Sequence, residues 1–335
     1  MKILISTGIY PPKIGGPAEY SKNLKSQFIT SGHKVFIATY SLENYLPTGL
    51  RHLYFFIKIM PKVLRSDFVL IMDTFSVGLP TVLACKLFGK KSIIRTGGDF
   101  LWEGFVERTG KKVLLRDFYE KEINNFSAKE RIIFRLTKWT LKNTSKIVFS
   151  TQWQREIFKK PYDLEMGHTE IIENFYGSKE GDFQPKEKDF VASTRRLVWK
   201  NTDLLKEVFQ KIKSRNNEVS LFSANLPFAE FMEKIKNCYA VIQVSLGDIS
   251  PNMILDAIRY NRPFICTKEV GIYDRIGDVG IFVDPLNEKQ IEEAVLKLLD
   301  KNEYEKAKEK VKQFSFVHTW QSIATEFMGV YNKIK

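Results

Sequence analysis

Residues 247–257 read Gly247-Asp248-Ile249-Ser250-Pro251-Asn252-Met253-Ile254-Leu255-Asp256-Ala257. Two carboxylates stand eight residues apart, with a Ser-Pro pair and an apolar run between them. The run that precedes them, Tyr239–Ser245, has the apolar character of a buried strand. Ser250 suits a helix N-cap and Pro251 the first helical position. Asp248 then falls in the loop at the strand's carboxyl end. Asp256 falls four residues after Asn252 on the same helix face, its side chain leaning toward the helix start. Both carboxylates can face one crevice, as can the unpaired amides of Asn252 and Met253. Carboxylates accept hydrogen bonds from ribose or sugar hydroxyls, and amides at a helix start hold phosphate. By itself the stretch suits a capped surface helix with a polar face better than a site. What surrounds it decides.

Apolar runs alternate with helical patterns along the whole chain of 335 residues. In the first half the runs are Lys2–Ser6, Lys34–Tyr40, Asp67–Asp73, Lys91–Thr96 and Lys146–Ser150. In the second they are Asp189–Ser193, Glu218–Phe222, Tyr239–Ser245, Pro263–Thr267 and Val279–Asp284. Continuous apolar runs suit strands buried on both faces of a parallel sheet. Leu204, Leu205, Val208, Phe209 and Ile212 mark one helix with Thr202 as its cap. Ile291, Ala294, Val295, Leu298 and Leu299 mark another, opened by Asn287 with Gln290 three residues on. The pattern predicts an α/β chain of two doubly wound, Rossmann-like domains, 1–170 and 171–317, with the boundary near 165–175. A last helix over 318–335 carries Trp320, Ile323, Phe327 and Val330 on one side.

Composition narrows the class. With 44% hydrophobic and 27% charged residues the chain reads as a soluble globular protein. Cys85, Cys238 and Cys266 are far apart and odd in number, which fits a reducing, cytoplasmic compartment rather than a disulfide framework or a zinc site. The N-terminal run is too short for a signal peptide, and no apolar window is long enough to span a membrane. The net charge of +13 is lopsided: residues 1–170 hold 27 Lys and Arg against 15 Asp and Glu, residues 171–335 hold 25 against 24. That asymmetry points the first half toward an anionic partner.

In open α/β sheets ligands bind at the carboxyl ends of the strands. After the first strand comes Thr7–Pro17, whose Gly15-Gly16 pair lets backbone amides approach a ligand just before a helix from about Ala18. A plain strand–helix turn fits as well. The dinucleotide fingerprint and the Gly-Lys-Ser/Thr of a P-loop are both missing, which excludes a nicotinamide enzyme. After the fourth strand comes Arg95-Thr96-Gly97-Gly98-Asp99-Phe100-Leu101-Trp102-Glu103, suited to a small polar ligand, or to Asp99 capping the next helix. The first strand of the second half ends in Ser193-Thr194-Arg195-Arg196-Leu197-Val198-Trp199-Lys200-Asn201. Three cations at a strand end repel one another unless an anion joins them, and Arg with Lys is the usual pair for phosphate oxygens.

In this order the pieces resemble the retaining nucleotide-sugar glycosyltransferases of the GT-B fold, specifically glycosyltransferase family 4, over nearly the whole chain. Tyr10-Pro11-Pro12 with Gly15-Gly16 is similar to that family's opening motif, and Gly98–Glu103 to a variant of its acceptor loop. Ile172-Glu173-Asn174 is similar to its Ile-x-Asn, and Arg195 with Lys200 to its Arg and Lys five apart. Asp248 and Asp256 match the two acids of its E-x7-E motif, and Pro263-Phe264-Ile265, Gly271 and Val283-Asp284-Pro285 follow in family order.

The resemblance implies two domains facing across a cleft, with the last helix crossing back to the first. It implies sugar transfer from a nucleotide-diphosphate sugar, such as a UDP- or GDP-sugar, to a glycan or lipid-linked acceptor, with retention and without a metal or other cofactor. Cell-envelope glycan or glycolipid synthesis is the implied setting. Arg195 and Lys200 would hold the diphosphate, Asp256 the ribose and Asp248 the transferred sugar, making Arg195, Lys200 and Asp248 the catalytic set. Asn252 and Met253 would line the donor site. Gly15 and Gly16 would lie near donor phosphate, and Gly98 and Asp99 near the acceptor. The chain departs from the family in having Asp at both acidic positions, Asn201 after Lys200, Gly97-Gly98 for a His-Gly, and room for only one helix between Leu221 and Tyr239. A sugar- or nucleotide-binding scaffold is therefore the alternative expectation. No nucleic-acid module is recognisable. The stretch Arg51–Arg65 interleaves cations and aromatics without an acid, which suits peripheral contact with an anionic membrane; a core helix with solvated basic residues is the plainer reading.

Overall fold

A computed structural model describes every residue except Ile14, Asp182, Lys186 and Thr194. Ile14 of the first glycine loop and Thr194 of the cationic loop thus lie outside the described residues. The chain forms two compact units, each built on a parallel sheet. The first comprises Met1–Leu101, Asn125–Phe175 and His318–Lys335; the second comprises Trp102–Asn124 and Tyr176–Val317.

The first sheet contains β1 (Lys2–Thr7), β2 (Lys34–Thr39), β3 (Phe68–Ile71), β4 (Lys91–Arg95), β5 (Lys146–Phe149) and β6 (Thr169–Ile171), in the order β2-β1-β3-β4-β5-β6. The second contains β7 (Lys188–Val191), β8 (Val219–Phe222), β9 (Ala240–Gln243), β10 (Phe264–Thr267) and β11 (Ile281–Val283), in the order β11-β10-β9-β7-β8. All ten expected strands are present. The extra strand, β6, is three residues at an edge, too short and too polar to stand out. In each sheet the first strand lies between the second and the third. That reversal of strand order makes a switch point between β1 and β3 and another between β7 and β9, the crevice where open α/β sheets bind ligands.

Burial explains the strands. Ile3–Ile5, Phe68–Ile71, Ala240–Ile242 and Ile265–Cys266 are wholly covered, as strands between two helical layers must be. In the first unit α1 (Gly16–Thr30), α2 (Thr48–Leu64), α3 (Gly78–Leu87) and the last helix, Trp320–Asn332, lie along the sheet. The last helix buries Ile323, Phe327 and Val330. Its Trp320 ring stacks on Phe175 at 5.3 Å and meets Tyr20 of α1 at 5.0 Å.

Several boundaries differ from expectation. The first unit runs to Phe175, at the far end of the expected 165–175 window, because Ile172 and Phe175 pack with its core. Trp102–Asn124, expected in the first domain, belongs to the second: Trp102 and Leu115 are buried there, against Gly247. The helix α4 (Phe100–Thr109) begins just before this segment. Thr202 is not a cap. The helix Thr202–Lys213 opens on Asn201, whose left-handed backbone (φ 55°) turns the chain. Ser250 is not a cap either. The helix Asn252–Arg259 opens on Pro251, and the Ser250 hydroxyl has no hydrogen-bond partner. Asn287 does cap, accepting from the Gln290 amide at 3.1 Å. One helix, Phe228–Asn237, joins β8 to β9, so the second sheet is as spare as the sequence indicates.

Candidate functional site

The switch point of the second sheet gathers the polar residues. The loop after β7 closes in one tight turn, Val198–Lys200, ended by Asn201. The loop after β9 runs from Val244 to Pro251. The Leu246 amide donates to the Trp199 carbonyl at 2.8 Å and pins the two loops together. Across this junction Lys200 Nζ stands 2.8 Å from Asp248 Oδ2, with only 8% and 15% of the two side chains exposed. Gln243, the last residue of β9, donates its amide to the same oxygen at 2.8 Å. Lys200 Nζ also lies 4.2 Å from the centre of the Trp199 ring, and the Arg195 guanidinium 5.8 Å from it. Arg195 itself is exposed.

The backbone holds Asp248 from the other side. Its amide donates to the Glu269 carbonyl and its carbonyl accepts from Gly271, both at 2.9 Å. Asp248 and Val270 form an isolated parallel bridge. Glu269, just beyond β10, is buried and paired with Arg116 at 2.5 Å. Burial raises its carboxyl above the usual range, against the pull of Arg116. Arg116 lies in the segment 102–124, which is fixed to this loop cluster at several points. The Leu115 amide donates to the Leu246 carbonyl at 3.2 Å. The rings of Trp102 and Trp199 lie 5.6 Å apart. The Glu107 carboxylate accepts from the Trp199 amide at 3.4 Å.

Asp256 is partly buried, and its carboxylate makes no described hydrogen bond or ion pair. Desolvation by burial pushes its carboxyl up to about 6, with Arg259 opposing and Glu180 adding to the rise. Asn252 and Met253 supply the first two amides of their helix, which by position have no intrahelical acceptor. Lys200 and Asp248 are thus brought into direct contact. Arg195 is near through the Trp199 ring, and no described hydrogen bond or ion pair joins Asp256 or Asn252 to the pair.

The other expected residues belong to the first unit. Gly15 is the N-cap of α1, and a Cβ there would stand 2.7 Å from Ile9 Cδ1, at the movable tip of that side chain. Gly16 is exposed and Gly98 partly buried. Asp99 is buried, and its Oδ1 accepts from the Leu101 amide at 3.1 Å, the cap-type bond that was the plainer expectation. Among the described residues no group of three or more His, Cys, Asp or Glu could hold a metal.

Sequence reading missed Gln243, Glu269 and Arg116. Gln243 and Glu269 had a signal, a polar residue at or just after the end of an apolar run. Arg116 had none, because only the tertiary fold brings it here.

No family model matches the chain, and no curated protein matches it. Solved structures do. HepE of Anabaena in complex with UDP-glucose is similar at 12% identity and a TM-score of 0.65, over 98% of this chain and 100% of that one. WaaG, a glycosyltransferase involved in lipopolysaccharide biosynthesis, is similar at 13% identity and a TM-score of 0.69, over 98% and 99%. Sucrose-phosphate synthase from Thermosynechococcus elongatus is similar at 12% identity and a TM-score of 0.68, over 99% and 98%. The fold is the GT-B fold. At these identities the likeness speaks for architecture, and the site has to speak for chemistry.

Proposed function

We propose that this chain is a glycosyltransferase that moves a sugar from a nucleotide-diphosphate sugar to an acceptor, with retention, as a hexosyltransferase of cell-envelope glycan or glycolipid synthesis. The observation that carries the reading is the Lys200–Asp248 contact at the switch point of the second sheet, with exposed Arg195 beside it. The likeness to HepE, solved with UDP-glucose, supports a nucleotide-sugar donor.

Lys200 and Arg195 bind the diphosphate and neutralise it as the leaving group gains charge, an effect worth about 10²–10³ in rate for one donor. The amides of Asn252 and Met253 take further oxygens. These cations and amides do the work that a divalent ion does in other transferases. Asp256, whose carboxylate has no described hydrogen bond, accepts from the ribose hydroxyls. Asp248 is held by Lys200 and Gln243 through Oδ2, which leaves Oδ1 to accept from the transferred sugar. In the first unit, Gly98 and Asp99 serve the acceptor.

The membrane part of the reading changes its physical basis. The cations of α2 turn inward. Lys58 bonds Glu43 at 2.7 Å and the Thr39 carbonyl, Lys62 the Ile37 carbonyl, and Arg51 the Glu43 and Leu46 carbonyls. The outer face is apolar: Leu50, Leu53, Ile57 and Leu64 are 50–57% exposed. Among the described residues no helix is long and apolar enough to cross a membrane. Contact with an anionic bilayer therefore runs through this apolar stripe, and the net positive charge of the unit draws the surface in.

Release of nucleoside diphosphate from UDP-, GDP- and ADP-sugars, measured with lipid-extract acceptors, tests the reading. Release by the wild type that Lys200→Ala abolishes is expected. Tight nucleotide binding without transfer to any acceptor would favour the scaffold alternative.

A further inference from the structure

Among the described residues two arginines are buried, and the fold treats them differently. Each nitrogen of Arg262 has a backbone acceptor: Nε donates to the Tyr260 carbonyl and Nη1 to the Cys238 carbonyl, each at 3.2 Å, and Nη2 donates to the Phe183 carbonyl. Arg95, 5% exposed at the end of β4, is not so served. Only Nη2 is engaged, donating to Ser150 Oγ at 3.0 Å and Asn174 Oδ1 at 2.7 Å. Nε is buried without a partner. The Tyr20 hydroxyl is near enough to favour the charge electrostatically, but it has no partner at hydrogen-bond geometry, so among the described residues Nη1 donates to no acceptor and no carboxylate pairs with the group.

Tyr20 supplies no counter-charge. Its ring lies 4.1 Å from the guanidinium, and burial pushes its hydroxyl up to about 12, so it stays neutral. The acid next along the network, Glu326, is engaged by His318 at 3.0 Å, and His318 in turn meets the Asn174 carbonyl. Desolvating a cation without an ionic partner is costly. Tying β4 to β5 and to Asn174 accounts for Nη2 and leaves the charge itself unexplained.

One approach to the charge is open. Gly97 is exposed, and a Cβ built there would stand 2.6 Å from Nη1. Glycine at this position keeps the nitrogen uncovered. The place is the carboxyl edge of the first sheet, where ligands of such sheets bind. The unit around it holds 24 Lys and Arg against 12 Asp and Glu, so its field draws anions.

We propose that Arg95 anchors an oxyanion site in the first unit, entered over Gly97, for a phosphate or carboxylate group. Nη1 donates to the anion, while Ser150, Asn174 and the Tyr20 ring hold the guanidinium plane. That the anion belongs to the acceptor rests on the transferase reading; the site itself does not.

Thermal unfolding of the whole chain tests it, with inorganic phosphate or acetate added at an ionic strength matched with chloride. Phosphate, acetate or both should raise the wild-type Tm by about 2–4 °C over chloride, and which of them acts tells a phosphoryl from a carboxylate ligand. Arg95→Met should begin at an equal or higher Tm, since an unpaired buried cation is gone, and should lose most of the shift. Gly97→Ala keeps the charge, covers Nη1 and should lose the shift too; it decides alone if Arg95→Met does not fold. Shifts in both variants equal to the wild type's, or no wild-type shift with either anion, overturn the proposal. Nucleoside diphosphates run in parallel should still act on both variants. Their failure in the wild type counts against the donor site and leaves the Arg95 result standing.

Discussion

Lys200 and Asp248, 48 residues apart in sequence, meet at 2.8 Å across the switch point of the second sheet. The contact joins the loop after β7 to the loop after β9. Asp248 also holds Gln243 through the same oxygen, so the carboxylate is oriented before any ligand arrives. Such orientation is what a site gains by building on strand ends.

Lys200→Met should leave Asp248 with one side-chain donor in a largely covered place. The cost is about 1–3 kcal/mol, read by denaturant unfolding. Asp248→Asn in the same chain should recover most of that stability and none of the transfer rate. A double cycle with additive stability changes would show that the contact is not formed in solution.

Gly247 is buried, and a Cβ there would stand 2.5 Å from Leu115 Cβ and 3.3 Å from Trp102. Gly247→Ala should therefore cost about 1–3 kcal/mol. Leu115→Ala should not relieve it, because the atom met is Cβ. Faster hydrogen exchange across 102–124 in Gly247→Ala would locate the damage; unchanged exchange there would speak against the packing of this segment on the second unit.

Asp256 carries its own pH dependence. Its folded value of about 6 lies above the ordinary 3.8, so the folded chain binds the proton more tightly. Stability should fall as pH rises from about 4 to 6 on this account, and Asp256→Asn should raise Tm at pH 7–8 more than at pH 5. Nucleotide affinity should move the other way in the wild type, strengthening as pH rises through about 6, because the ionised carboxylate is the better acceptor. Calorimetric titrations at several pH values check this; an unchanged step in Asp256→Asn would assign it to another group.

The apolar stripe of α2 invites a surface test. Leu53 and Ile57 are 56% and 57% exposed, so Leu53→Glu with Ile57→Glu should change stability by less than about 0.5 kcal/mol. Flotation with anionic vesicles should fall several-fold. Equal flotation by wild type and variant, or equal recovery on neutral and anionic lipid, would remove the membrane contact.

Much of this was legible in the sequence for physical reasons. Strands covered on both faces must be apolar throughout, so Phe68–Ile71 and Ala240–Gln243 announce themselves. Edge strands need not be, and Thr169–Ile171 did not. Lys200 and Asp248 were found because charged residues at strand ends are conspicuous beside apolar runs. Their direct contact was not foreseeable, nor was the inward turn of Lys58 and Lys62, since spacing along α2 does not say which carbonyls lie within reach. The caps failed at Ser250 and Thr202 because each helix opens on a neighbour, one residue later at Pro251 and one earlier at Asn201, and which residue takes the non-helical backbone of a cap is not set by side-chain type alone. The place of Trp102–Asn124 depended on which unit offered Trp102 and Leu115 a bare glycine to pack on.

Isothermal titration of the wild type and Lys200→Met with UDP, GDP and ADP tests most directly whether the second unit holds a nucleotide diphosphate. At least one of them should bind the wild type one to one, and Lys200→Met should weaken it by about 10–100-fold, or ~1.4–2.8 kcal/mol. Absence of binding by all three, or equal affinity in the two proteins, would contradict the assignment.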